Sequence, residues 1–223
     1  MNLSHMRDKQ MQINGVIIGY DPGGNGKNGV AILEVQSSLP RSVEILTSDN
    51  AESVINKIST YSNLIGLGVD TLSCWSTGHS GWRPADLWLR KKYPPVSNSV
   101  MSPNTLSGSM GLNGMSVLIE ISKCKKTTVL SETHPKVLWF ALMDEKYDYD
   151  NHSAQMDSYL SEQLGLPIKT QNDHEWDAVI SAYALLMGIT NKWTLDLHTL
   201  PTSNKERIVT PCGKTHYFWP GQL

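Results

Sequence analysis

Cysteine is scarce in this 223-residue chain, and Cys74, Cys124 and Cys212 stand far apart. Their number is odd and no Cys-x-x-Cys or Cys/His zinc spacing occurs, so neither a disulfide framework nor a structural zinc site is supported. Charge is sparse as well. Charged residues make up 18% of the chain, below the usual value of about 25%. The net charge of −2 provides no global basic field to recruit nucleic acid. Any polyanion has to be met by local clusters. Two are visible, Arg90-Lys91-Lys92 and Lys123 with Lys125 and Lys126, and each taken singly reads first as a solvated helix end. No apolar run reaches the length of a membrane span, and the polar N-terminus is not a signal peptide. The expectation is a cytoplasmic protein with no membrane partner. What the chain does have is 39% hydrophobic residues and seven tryptophans, enough for a packed core.

Local patterning predicts strands over 15–21, 29–36 and 41–48, a helix from Ala51 to Tyr61, and a strand from Leu64 to Asp70. Strand signals return at 127–134. Helices are expected over Pro84–Lys92, Leu106–Cys124, Lys136–Asp144, Ser153–Leu164 and His174–Met187. This is an α/β plan in which the first and fourth strands can lie parallel. Residues 1–12 read as a disordered leader and 13–190 as one domain with an insertion at about 71–126. Residues 191–223 read as a C-terminal extension packed on that domain.

Acids recur at strand ends. Asp21 closes Val16-Ile17-Ile18-Gly19-Tyr20, Asp70 closes the fourth strand, and Glu132 lies near the end of the fifth. In an open α/β sheet the ligand crevice lies outside such ends. Asp177 sits on the last helix beside Ala178, Ser181 and Ala182, small residues that let the helix lie close on the sheet. His174 and Asp173 precede it by one turn. Converging carboxylates repel unless divalent cations neutralise them, and oxygen-rich sites suit Mg²⁺ or Mn²⁺. Each acid also has a local alternative: Asp21 and Asp70 as turn caps, Glu132 as a lysine partner, Asp177 as an ordinary first-turn acid.

Asp21-Pro22-Gly23 resembles the RuvC-type branch of RNase H-like nucleases, where that aspartate binds metal, and Asp177-Ala178 with Ala182 resembles the same group's last motif. A closer resemblance is to the "predicted RNase H-like nuclease" family of unknown function. That family shows Arg-x-x-Asp-x-x-x-Arg, Glu-x-His-Pro and an Asp-Ala helix. Here these are Arg83-Pro84-Ala85-Asp86 with Arg90, Glu132-Thr133-His134-Pro135, and Asp177-Ala178. Lys136 stands where the family often has a further acid. The resemblance spans about residues 15–190. It implies an α/β, RNase H-like fold: a mixed central sheet of three N-terminal strands and two further parallel strands, flanking helices, and a helical insertion between strands 4 and 5.

The expected function is a metal-dependent nuclease that hydrolyses phosphodiesters with two Mg²⁺ or Mn²⁺ ions. Asp21, Asp70, Glu132 and Asp177 are the expected catalytic and metal residues, with His174 and Asp173 as further ligands. His134 reads as a group supporting Glu132 or as a cap for the following helix. Arg90 reads as a phosphate contact; Arg83 reads first as a surface partner of Asp86 and otherwise as a second phosphate contact. DNA or RNA is the expected partner, and a homodimer stays open. An actin-like or sugar-kinase-like nucleotide-binding module, or a non-catalytic RNase H-like binding protein, are the alternatives.

Overall fold

A continuous apolar run makes Gly15–Asp21 (β1) a strand buried along its whole length, and Asn28–Gln36 (β2) returns antiparallel beside it. In this computed structural model residues 12–221 are described, apart from 25, 79, 104–107 and 203–205. Leu39–Ser48 (β3) pairs antiparallel with β2 and forms the exposed edge. Helix Ala51–Ser59 (α1), capped by the Asn50 side chain, leads into Leu64–Asp70 (β4), which lies parallel to β1. The short strand Trp75–Ser76 (β5) and helices Pro84–Lys92 (α2) and Ser109–Cys124 (α3) come before Val129–Thr133 (β6), which is parallel to β4. The sheet order is therefore β3-β2-β1-β4-β6. This is the mixed α/β sheet anticipated from the sequence, three N-terminal strands followed by two further parallel ones.

Helices Pro135–Met143 (α4), Tyr149–Leu164 (α5) and Asp173–Ile189 (α6) follow. The pleat of β1 separates two cores. Ile18 and Tyr20 pack with Val54 and Ile58 of α1 and with Leu118 and Ile121 of α3. Ile17 packs with Ala178, Ala182 and Leu185 of α6, and Gly19 and Asp21 share its face by the two-residue period. The helix lies unusually near the sheet. A Cβ at Gly19 would stand 1.9 Å from the Ala178 carbonyl oxygen, at Gly29 1.9 Å from that of His174, and at Gly68 2.5 Å from that of Ser181. Glycine at these positions is what lets the first turns of α6 reach the strand ends.

Helix bounds differ from expectation by one or two residues at α1, α4 and α6, and by more at α5. α5 starts at Tyr149 rather than Ser153, because Asp148 caps it, and the chain kinks at His152. The expected start of α3, Leu106, lies outside the described residues, as do residues 1–11 of the expected leader. Beyond α6, Leu195–Asp196 (β7) pairs with Phe218–Trp219 (β9), and Ile208–Val209 (β8) pairs with β5. His216 exchanges backbone hydrogen bonds with Leu130 and Glu132, which covers the outer edge of β6. Among the described residues no helix is long and apolar enough to cross a membrane.

Candidate metal centre

Because β1 and β4 run parallel, Asp21 and Asp70 leave the sheet at the same end, on the face covered by α6. The Asn172 side chain caps α6 by accepting from the Glu175 amide, which places the start of the helix over that end. Asp177 then points back at the two strand carboxylates. One oxygen from each of Asp21, Asp70 and Asp177 lies within 4.8 Å of the others. All three residues are buried.

The electrostatics of this trio are unfavourable without a cation. Burial raises the pKa of Asp70 and Asp177 well above the ordinary carboxylate value, and the neighbouring aspartates raise both further. Burial also raises Asp21, partly offset by a hydrogen bond to His174 Nδ1 at 2.5 Å; the same contact raises the His174 imidazole. The Tyr147 hydroxyl faces Asp177, yet Tyr147 Oη and Asp177 Oδ1 are both buried without a hydrogen-bond partner. Buried oxygens in this condition are costly. An all-oxygen donor set with an unsatisfied member fits a hard divalent cation.

No protein-family model and no curated protein matches this chain. Among solved structures it is similar to Thermus thermophilus RuvC, with 13% identity and a TM-score of 0.42 over 79% of this chain and 96% of that one. Likeness at this level carries nothing about chemistry or site residues.

Glu132, expected beside the three aspartates, lies elsewhere. Across the β4–β6 pair, Asp70 stands opposite Thr133, and Glu132 stands opposite Val69. Strand side chains alternate faces, so the register that brings Thr133 to Ser181 of α6, at 2.7 Å, turns Glu132 away. There Arg83 grips it with two hydrogen bonds, of 2.7 Å and 2.6 Å, and Ser73 donates to it from both backbone and hydroxyl. Burial alone would raise Glu132, but Arg83 and His198 outweigh it and hold the carboxyl far below its ordinary value. His198, although buried, is pushed up to about 10 by Cys74 and Glu132.

This geometry also revises the arginine roles. Arg83 is 1% exposed and binds Asp86 as well as Glu132, so it is the pairing alternative that is seen and no phosphate can reach its guanidinium. Arg90 donates to the carbonyls of Ser97 and Val100 and lies 4.9 Å above the Trp82 ring. It holds the loop after α2. His134 donates from Nε2 to the Ser99 carbonyl, and burial lowers its pKa, so it braces the same loop as a neutral ring. Asp173 is about half exposed and accepts from its neighbour's amide, outside the trio. Of the basic clusters, Lys123, Lys125 and Lys126 precede β6 and so lie at the opposite end of the sheet from the aspartates.

Two neighbours of the trio were not singled out as site residues from sequence. Tyr147 carries no local signal. Lys136 was visible only as a departure from a motif; its charge reaches all three aspartates.

Proposed function

We propose that this protein is a metal-dependent nuclease whose centre is Asp21, Asp70 and Asp177. The observation that carries the reading is the buried trio, in which Asp177 Oδ1 makes no hydrogen bond of ordinary geometry although the Tyr147 hydroxyl faces it. The strand-end position and the Asp-Pro-Gly and Asp-Ala motifs support the same class. The Arg83-x-x-Asp86 and Glu132-x-His134-Pro135 motifs support the narrower "predicted RNase H-like nuclease" family, with a structural role for Glu132. Mg²⁺ or Mn²⁺ would be held by the three aspartates, and bound there it would lower the pKa of an attacking water and polarise the phosphate. His174, hydrogen-bonded to Asp21, fixes that carboxylate's orientation and is placed to accept a proton as water attacks phosphorus. In the balanced reaction the water oxygen bonds to phosphorus, the ester P–O bond breaks, and the leaving oxygen takes a proton.

The test compares wild type with Asp21→Asn on single-stranded, duplex and branched DNA, on RNA, and on ATP. Cleavage of nucleic acid should require Mg²⁺ or Mn²⁺ and stop in EDTA. It should fall by about a thousandfold or more in Asp21→Asn, with the melting transition retained. Cleavage that persists in EDTA, or is equal in the two proteins, overturns the assignment. Turnover of ATP alone would favour the nucleotide-binding alternative.

A further inference from the structure

With Glu132 paired elsewhere, three carboxylates remain where two divalent ions were expected, and a lysine stands close by. Lys136 occupies the first turn of α4, three residues after Thr133, the partner of Asp70 across the sheet. Its side chain is exposed, and among the described residues it makes no ion pair. Its ammonium lies 5.5 Å from the centre of the Tyr147 ring, whose hydroxyl faces Asp177. Together with Asp70, Thr133 and His134 it lines a groove of about 370 Å³. Met101 and Met110 also line the groove and carry no competing charge.

We propose that Lys136 takes the place of a second metal ion, so that the centre binds one divalent cation and Lys136 binds a non-bridging oxygen of the substrate phosphate. This rests on the nuclease reading above. Charge permits a single ion: three carboxylates, one divalent cation and Lys136 sum to zero before the substrate phosphate enters. The cation–π contact keeps the ammonium beside the carboxylates without an ion pair. A partnered lysine would have to break that pair before meeting phosphate, and this one does not. Lysine serves phosphate as a compact point charge, with no demand for bidentate geometry.

The test uses the full chain and probes that need no known substrate. Calorimetric titration with Mn²⁺ should give one ion per chain for wild type and for Lys136→Gln. It should give two for Lys136→Glu, in which a fourth carboxylate joins the trio. Inorganic phosphate should bind the Mn²⁺-loaded wild type about tenfold or more tightly than Mn²⁺-loaded Lys136→Gln, the scale of one charge-assisted hydrogen bond. Two ions in wild type, or equal phosphate affinity in wild type and Lys136→Gln, overturns the role of Lys136 and leaves the nuclease reading standing. Failure of wild type to bind Mn²⁺ removes the metal centre itself and this proposal with it. The exposure of Lys136 makes loss of folding an unneeded explanation, and the melting temperatures of the variants check it.

Discussion

Asp70 and Glu132 end adjacent parallel strands, one residue out of step, and their carboxylates meet opposite surroundings. Asp70 joins Asp21 and Asp177, three buried acids with His174 as their one hydrogen-bonded base. Glu132 joins Arg83, Asp86, His198 and Ser73, where each buried carboxylate has a cation in contact and hydrogen bonds besides. The second cluster is complete without a ligand, whereas the first is not. Burial is nearly the same in both, so depth in the protein does not distinguish a candidate centre from a structural ion network. The presence of a compensating charge does. The cavity of about 430 Å³ over Cys74, Arg83 and His198 belongs to the completed cluster, and its size alone does not mark a reaction site.

The largest expected effect breaks the completed cluster. Arg83→Met leaves Asp86 and Glu132 buried without their guanidinium, a loss of about 3–5 kcal/mol. Urea unfolding should show it, and adding Glu132→Gln to the same chain should recover part of it. A loss below about 1 kcal/mol would mean that Arg83 is not what compensates these acids.

A smaller effect, of opposite sign, separates the two clusters. Mn²⁺ at a hundred times its dissociation constant should stabilise wild type by about 2.7 kcal/mol, and EDTA should remove the gain. In Asp177→Asn that gain should be absent. The metal-free variant should nevertheless melt about 2–4 °C above metal-free wild type, roughly 1 kcal/mol for a chain of this size, because one repelling charge is gone. Glu132→Gln should keep the Mn²⁺ response. Loss of that response in Glu132→Gln would place Glu132 at the metal after all.

The smallest effect is on pH dependence, and it sharpens the same contrast. Asp70 and Asp177 have pKa values raised on folding. Their contribution to metal-free stability is therefore present below the ordinary aspartate value of 3.8 and lost as pH rises through the raised values. Glu132 is shifted down, so its contribution is present above its ordinary value of 4.5 and lost as pH falls. The advantage of metal-free Asp177→Asn over wild type should grow as pH rises above 3.8, the ordinary aspartate value. The deficit of Arg83→Met should shrink as pH drops below 4.5. Parallel profiles for the two comparisons would erase the distinction between the clusters.

Much of the fold was legible because its signals are local. Val16 to Tyr20 reads as a buried strand, Pro135 opens a helix, and Gly165 ends one in the left-handed conformation that favours glycine. The small face of α6 predicted close packing, and the glycines at 19, 29 and 68 are its counterpart on the sheet. Three of the four expected acids converge. The fourth does not, because a shift of one residue in pairing reverses a strand's faces and nothing within Thr127–His134 fixes which residue stands opposite Asp70.

The motifs Arg83-x-x-Asp86 and Glu132-x-His134-Pro135 were likewise visible, the first suggesting a local pair or a phosphate contact and the second a metal ligand. Their meeting was not visible. Arg83 and Glu132 are 49 positions apart, and only the fold, which sets the N-cap of α2 beside the Glu132 side chain, joins them. The sequence by itself determined the strands, the helices and the placing of acids at one end of the sheet, because periods of 2 and 3.6 residues are written within each segment. The tertiary structure decided which acids share a space and which receive a cation, because an acid's electrostatic state depends on charges brought near it from distant parts of the chain.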